Sequence, residues 1–187
     1  MIKFTPEQLA KAEAMLAHLP GEIAKVLARA INRAAEAARA EAIRAATARY
    51  NVKAGSVRKV LTLRRANAGS QAAAVSATGK RIPLIEFKVS PNQPSAKRMK
   101  RPHRAAVLKG GGMKDVPGMF VARLRNGRVG AFSRTGKERS PIREHFGPSI
   151  PEMLGKDQVS KAIEARAQEI LESRLEHEIA RVLEGGR

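Results

Sequence analysis

The chain has 187 residues, enough for one domain of ordinary size, and its 43% hydrophobic content leans on alanine, with only 3% aromatic, so the core must be thin and built from Leu, Ile, Val and Ala. Its 36 Lys and Arg against 17 Asp and Glu give a formal charge of +19, which points to polyanionic partners, while the lack of cysteine excludes disulfides and thiolate metal sites. Residues 1–8 hold no apolar signal segment, and the longest uncharged stretch, residues 66–79, is polar and too short to span a bilayer, so neither secretion nor a membrane role is expected.

Thr5 before Pro6 and Glu7 reads as an N-cap with proline in the first turn, opening a helix to about His18 that is interrupted at Leu19-Pro20-Gly21. Residues 22–50 form a long alanine-rich helix. Its stripe of Ile23, Leu27, Ala30, Ile31, Ala34, Ala38 and Ala45 faces inward, and Lys25, Arg29, Arg33 and Arg44 lie opposite. Ile43 falls among the basic residues, which suggests a bend or a second contact surface. Residues 56–61 read as a short helix, and residues 61–65, 72–77 and 82–89 as strands separated by glycine-containing turns.

Residues 90–112 combine Pro91, Pro94 and Pro102, the triplet Gly110 to Gly112, and the basic run Lys97, Arg98, Lys100, Arg101 and Arg104. Most of this reads as a mobile loop near 90–115, with a short strand at 105–108. Residues 119–124 and 129–134 then flank Arg125-Asn126-Gly127-Arg128, and Asn-Gly is the favoured centre of a two-residue type I′ hairpin. That turn sets Leu124 against Val129, Val121 against Phe132 and Arg125 against Arg128, and the facing arginines suggest an anion at the tip. Residues 134–151 read as irregular and rigid. A last helix over 156–183 carries Val159, Ile163, Ile170, Leu171, Leu175, Ile179 and Val182 on its apolar face, with Gly185-Gly186 as its stop.

The expected architecture is α+β in a single domain over 1–187: long N-terminal and C-terminal helices packed on an antiparallel β-sheet, with an extended basic loop. Its parts are a helical segment 1–50, a β-rich basic segment 51–151, and the C-terminal helix 152–187. The charge is uneven, with 22 basic against 4 acidic residues between 51 and 145 (+18), +3 in residues 1–50 and −2 in residues 146–187.

Catalysis finds little support. Glu86, Asp115, Glu138 and Glu144 are the only acids between 51 and 145, without metal-ligand spacing, whereas two-metal nucleases and carboxylate-pair hydrolases need clustered acids. His18, His103, His145 and His177 are isolated, Glu144 and His145 are adjacent and point to opposite faces of an extended segment, and Ser149 lies outside any nucleophile elbow. No catalytic residue, metal or cofactor is expected. The basic run and Arg123, Arg125 and Arg128 are candidates to face DNA, through its backbone and without sequence reading, since aromatic stacking residues are almost absent. A solvated basic surface is an equal reading of the same residues.

Two stretches carry a family resemblance: Gly130-Ala131-Phe132-Ser133-Arg134-Thr135-Gly136-Lys137, and Phe146-Gly147-Pro148-Ser149-Ile150-Pro151 after Pro141-Ile142-Arg143-Glu144. With Phe120-Val121-Ala122-Arg123 and residues 82–88, they resemble the prophage minor tail protein Z family, tail completion proteins of lambda-like long-tailed phages. The resemblance implies a structural, non-enzymatic protein in the virion tail, assembled in the host cytoplasm. It would complete the head-proximal end of the tail and touch other tail or neck proteins; taken with the +18 excess of the middle segment, it suggests a homo-oligomer such as a ring that contacts DNA without sequence preference. Arg134, Gly147, Pro148, Ser149 and Ile150 become candidates for an assembly corner, or for a turn that only orients the last helix. The alternative from another class is a free, sequence-nonspecific DNA- or RNA-binding protein.

Overall fold

In the computed structural model, which describes residues 2–67, 69–95 and 101–185, Thr5 caps helix α1 (Pro6–Met15). Its hydroxyl accepts from the Gln8 backbone N–H while the Gln8 side chain accepts from the Thr5 N–H, a reciprocal cap. Helix α2 (Pro20–Arg49) begins at the proline expected to interrupt it, because the ring fixes φ at a helical value and the first-turn N–H would be unpaired anyway. Helix α3 (Ala54–Val60) runs directly into strand β1 (Leu61–Arg64), which pairs antiparallel with β2 (Ala74–Ala77).

The expected strand over 82–89 divides into β3 (Arg81–Pro83), a 3-10 turn at Leu84–Glu86 and β4 (Lys88–Ser90), because Pro83 has no N–H to continue a ladder. Within the segment expected as a mobile loop with a short strand at 105–108, the strand spans His103–Ala106 (β5), which pairs with β4 and with a further strand β6 (Lys114–Val116). Strands β7 (Met119–Arg123), β8 (Val129–Arg134) and β9 (Ile142–Glu144) make a third sheet, and β10 (Phe146–Ser149) pairs with β3. A short helix α4 (Ile150–Leu154), beginning inside the segment expected to be irregular, precedes α5 (Asp157–Leu183), beyond whose end Gly185 takes φ +80°. The fold is α+β, with long helices near both ends and antiparallel sheets.

Two compact units divide the chain. Unit 1 comprises Met1–Ala45, Val60–Thr78 and Leu154–Arg187, and unit 2 comprises Ala46–Lys59 and Gly79–Met153. The core of unit 1 joins Ala12 and Leu16 of α1, Val26, Leu27, Ala30, Ile31, Ala34 and Ala35 of α2, and Leu171, Leu175, Ile179 and Val182 of α5. Leu63 and Val75 bring the β1–β2 pair onto it. Alanines along α2 let these elements approach closely, and each fully buried Leu or Ile contributes about 1.5–3 kcal/mol. Asn32 fixes the sheet to the helix, donating to the Ala66 carbonyl at 3.0 Å and accepting from its N–H at 2.8 Å.

In unit 2 the register of the β7–β8 hairpin corrects the sequence expectation by one residue. Phe120 faces Phe132, Val121 faces Ala131 and Arg123 faces Val129. A type I′ turn needs positive φ at both central residues, but only Gly127 has it, at +79°. The loop therefore has three residues, Arg125 to Gly127. The Gly127 N–H closes on the Leu124 carbonyl at 2.9 Å, and the Asn126 side chain accepts from the Arg128 N–H at 3.1 Å. Leu124 rather than Arg125 stands opposite Arg128, so the like-charge confrontation that pointed to an anion does not exist.

Candidate functional site

Partition of the charge between the units is the first functional observation. Unit 2 holds 21 Lys and Arg against 5 Asp and Glu, a net +16, whereas unit 1 holds 15 against 12, a net +3. Ion pairing sharpens the contrast. Unit 1 neutralises its cations in pairs such as Lys11–Glu176 (2.7 Å), Lys25–Glu22 (2.7 Å) and Arg65–Glu36 (2.8 Å). The ion pairs seen among the described residues of unit 2 are Arg104–Asp115 and Arg128–Glu144. An excess of this size repels itself within one small unit and is relieved by an opposing polyanion.

Of the candidate DNA-facing residues, Lys97, Arg98 and Lys100 lie outside the described residues, and Arg101 is exposed. Arg104 sits on β5, its Nε 3.2 Å from Asp115 Oδ1 across the β5–β6 pair and an Nη donating to the Met113 carbonyl at 2.9 Å. The hairpin gathers Arg123, Arg125 and Arg128 at one end. Arg123 donates to the Gly127 carbonyl at 3.3 Å and Arg128 is bonded to Glu144, which leaves Arg125 exposed at the tip with no partner seen among the described residues.

Residues outside the candidates chosen from the sequence are brought together at the junction of α2 and α3. The Asn51 N–H donates to the Val107 carbonyl at 2.8 Å, and its side-chain amide to the carbonyls of Ala106 (3.0 Å) and Leu108 (3.2 Å). The Lys109 N–H donates to the Arg49 carbonyl at 2.9 Å. These bonds hold the chain after β5 against the end of α2, with the Lys109 backbone against Arg49, from which the chain runs on to Lys53, Arg58 and Lys59. One signal could have marked it: residues 46–59 hold four cations and no acid.

The proposed corner is built from internal bonds. A methyl group at Gly147 would stand 2.5 Å from the Phe87 ring, so only glycine lets β10 lie against this buried aromatic. Ser149 caps α4: its hydroxyl accepts from the Glu152 N–H at 3.3 Å, and its own N–H donates to the Glu152 carboxylate at 2.7 Å. Ile150 is buried and Pro148 half-buried. Arg134 is separate from this cap and lies with its guanidinium carbon 5.8 Å from the Phe120 ring centroid, a cation–π contact. Phe146 alone of the motif projects outward, 46% exposed.

Glu144 and His145 do not form an acid–base pair. Glu144 bonds Arg128, and the His145 backbone bridges elements, its N–H donating to Ala131 and its carbonyl accepting from Leu84. Among the described residues no three His, Asp or Glu side chains are grouped to hold a metal ion, and no helix is long and apolar enough to cross a membrane. The exposed side chains of unit 2 offer a largely cationic contact surface.

In a comparison with protein families, the model described as prophage minor tail protein Z (GPZ) matches residues 9–185. No curated protein and no solved structure matches the chain.

Proposed function

Because the chain belongs to the prophage minor tail protein Z family, and is thus a structural phage minor tail protein, we propose that it completes the head-proximal end of the tail and helps join head to tail for DNA passage, without catalysis. The observation that carries this reading is the +16 charge of unit 2, left largely without internal counter-charges. In this reading several copies form a ring in the tail of the virion, put together in the host cytoplasm. Unit 2 faces the DNA conduit, and other tail or neck proteins hold the rest. Contact with passing DNA is to phosphates, weak at physiological salt and without sequence preference, as a conduit requires.

Co-sedimentation with assembled tails, set beside titration of free duplex DNA at physiological salt, tests the proposal. Tight association with tails and weak binding to free duplex are expected. Submicromolar binding to naked duplex, with a salt slope reflecting on the order of six or more phosphates and no association with tails, would instead identify a free nucleic-acid-binding protein.

A further inference from the structure

We propose that the phosphodiester contact of this protein centres on the corner where α2 meets α3, through Lys53, Arg58 and Lys59, rather than on the hairpin tip. The inference rests on the DNA-facing reading above and locates that contact. Three observations carry it.

The first is fixation. Asn51 makes three hydrogen bonds to consecutive carbonyls of residues 106–108, and Lys109 returns a fourth to Arg49. Helix α3 is anchored by Val57, which is fully buried, so Lys53, Arg58 and Lys59 are left exposed on a held backbone. Cations on an ordered backbone lose less freedom on meeting a phosphate than cations on a loose one.

The second is the absence of competing anions. Residues 46–59 contain no Asp or Glu, so nothing in the segment itself offers these cations a carboxylate. The third is the state of the alternatives. Arg128 is bonded to Glu144, Arg104 to Asp115, and Arg123 turns back on its own loop carbonyl, which leaves the hairpin tip the single cation Arg125 without a partner seen among the described residues. A guanidinium that must leave a carboxylate to reach a phosphate gains little. Among the described residues no ion pair is seen to Lys53, Arg58 or Lys59, so at a phosphate these cations displace only solution counterions, whose release drives nucleic-acid binding.

The test is a salt titration of the full-length protein with a short labelled duplex of random sequence, starting at low salt and followed by fluorescence anisotropy. Compared are the wild type, the triple change Lys53→Ala, Arg58→Ala, Lys59→Ala, and the hairpin double change Arg123→Ala, Arg125→Ala. Each lost phosphate contact lowers the slope of log affinity against log salt by about 0.9, so the α3 triple should lower it by about 2–3 and the hairpin double by less than about 1. Conservative Lys53→Arg with Lys59→Arg should retain the wild-type slope, and unchanged melting temperatures would show that the variants are folded. If the α3 triple keeps the wild-type slope while the wild type binds, the corner is not the contact, though unit 2 still faces DNA. If the wild type shows no salt-dependent binding at all, the DNA contact proposed above falls and this site with it.

Discussion

Gly147 and Phe87 occupy complementary volumes: a methyl group on Gly147 would stand 2.5 Å from Cε2 and 2.9 Å from Cζ of the Phe87 ring, closer than such carbons approach. Phe87 follows the 3-10 turn and is buried, so the ring cannot swing into solvent without opening a void. Gly147→Ala should therefore destabilise the protein by about 1–3 kcal/mol in urea unfolding. Combining it with Phe87→Leu should cost less than the sum of the two single changes, because the smaller side chain makes room for the methyl.

The Ser149 cap makes a separate prediction. Ser149→Ala removes the acceptor for the Glu152 N–H and should cost about 1 kcal/mol. Glu152→Ala removes the reciprocal bond, and the double change should be less than additive. Denaturant midpoints of the four proteins check this directly.

At the hairpin, Gly127 is the loop residue with positive φ. Gly127→Ala should cost about 1 kcal/mol and Gly127→Asn distinctly less, since Asn tolerates the left-handed region. Cross-strand nuclear Overhauser contacts between Phe120 and Phe132, whose ring centroids lie 6.2 Å apart, should be present. The register expected from an Asn-Gly two-residue turn would pair Val121 with Phe132 instead.

Stability should also depend on pH through the contact between α1 and α5. Hydrogen bonding to Lys11, with its charge, holds the Glu176 carboxyl below its ordinary value, and the same bond raises Lys11. For the depressed carboxyl, the stabilisation is complete above its unfolded value and is lost as pH falls through the folded one. For the raised ammonium, it is complete below the ordinary lysine value and is lost as pH rises through the folded one. Both groups are exposed, so the effect is small and screened by salt. The melting-temperature gap between wild type and Glu176→Gln should be present near neutrality at low salt and should close in acid below the carboxylate range.

Helices and turns were legible in the sequence to different depths. Thr5-Pro6, the alanine-rich α2, the apolar spacing from Val159 to Val182 and the stop at Gly185 all express local rules, and the structure follows them. The hairpin was legible but its register was not, because Asn126-Gly127 suits both a two-residue turn and a three-residue loop with a left-handed glycine. Strand β6, Lys114–Val116, escaped notice because Lys-Asp-Val has no apolar alternation and is held only by pairing with β5. The same limit applies to the site: charge in the middle of the chain was visible as a count. Which cations meet Glu144 or Asp115, and which lie on the chain that the Asn51 bonds hold in place, depends on contacts between residues far apart in sequence.

Most direct for the central claim is negative-stain microscopy of particles induced from a prophage with and without this protein, scored together with infectivity. Loss should leave tails that fail to join filled heads, with infectivity falling accordingly, and a charge-depleted unit 2 should reproduce the defect in part. Unaltered, fully infectious particles in its absence would contradict a role in finishing the tail.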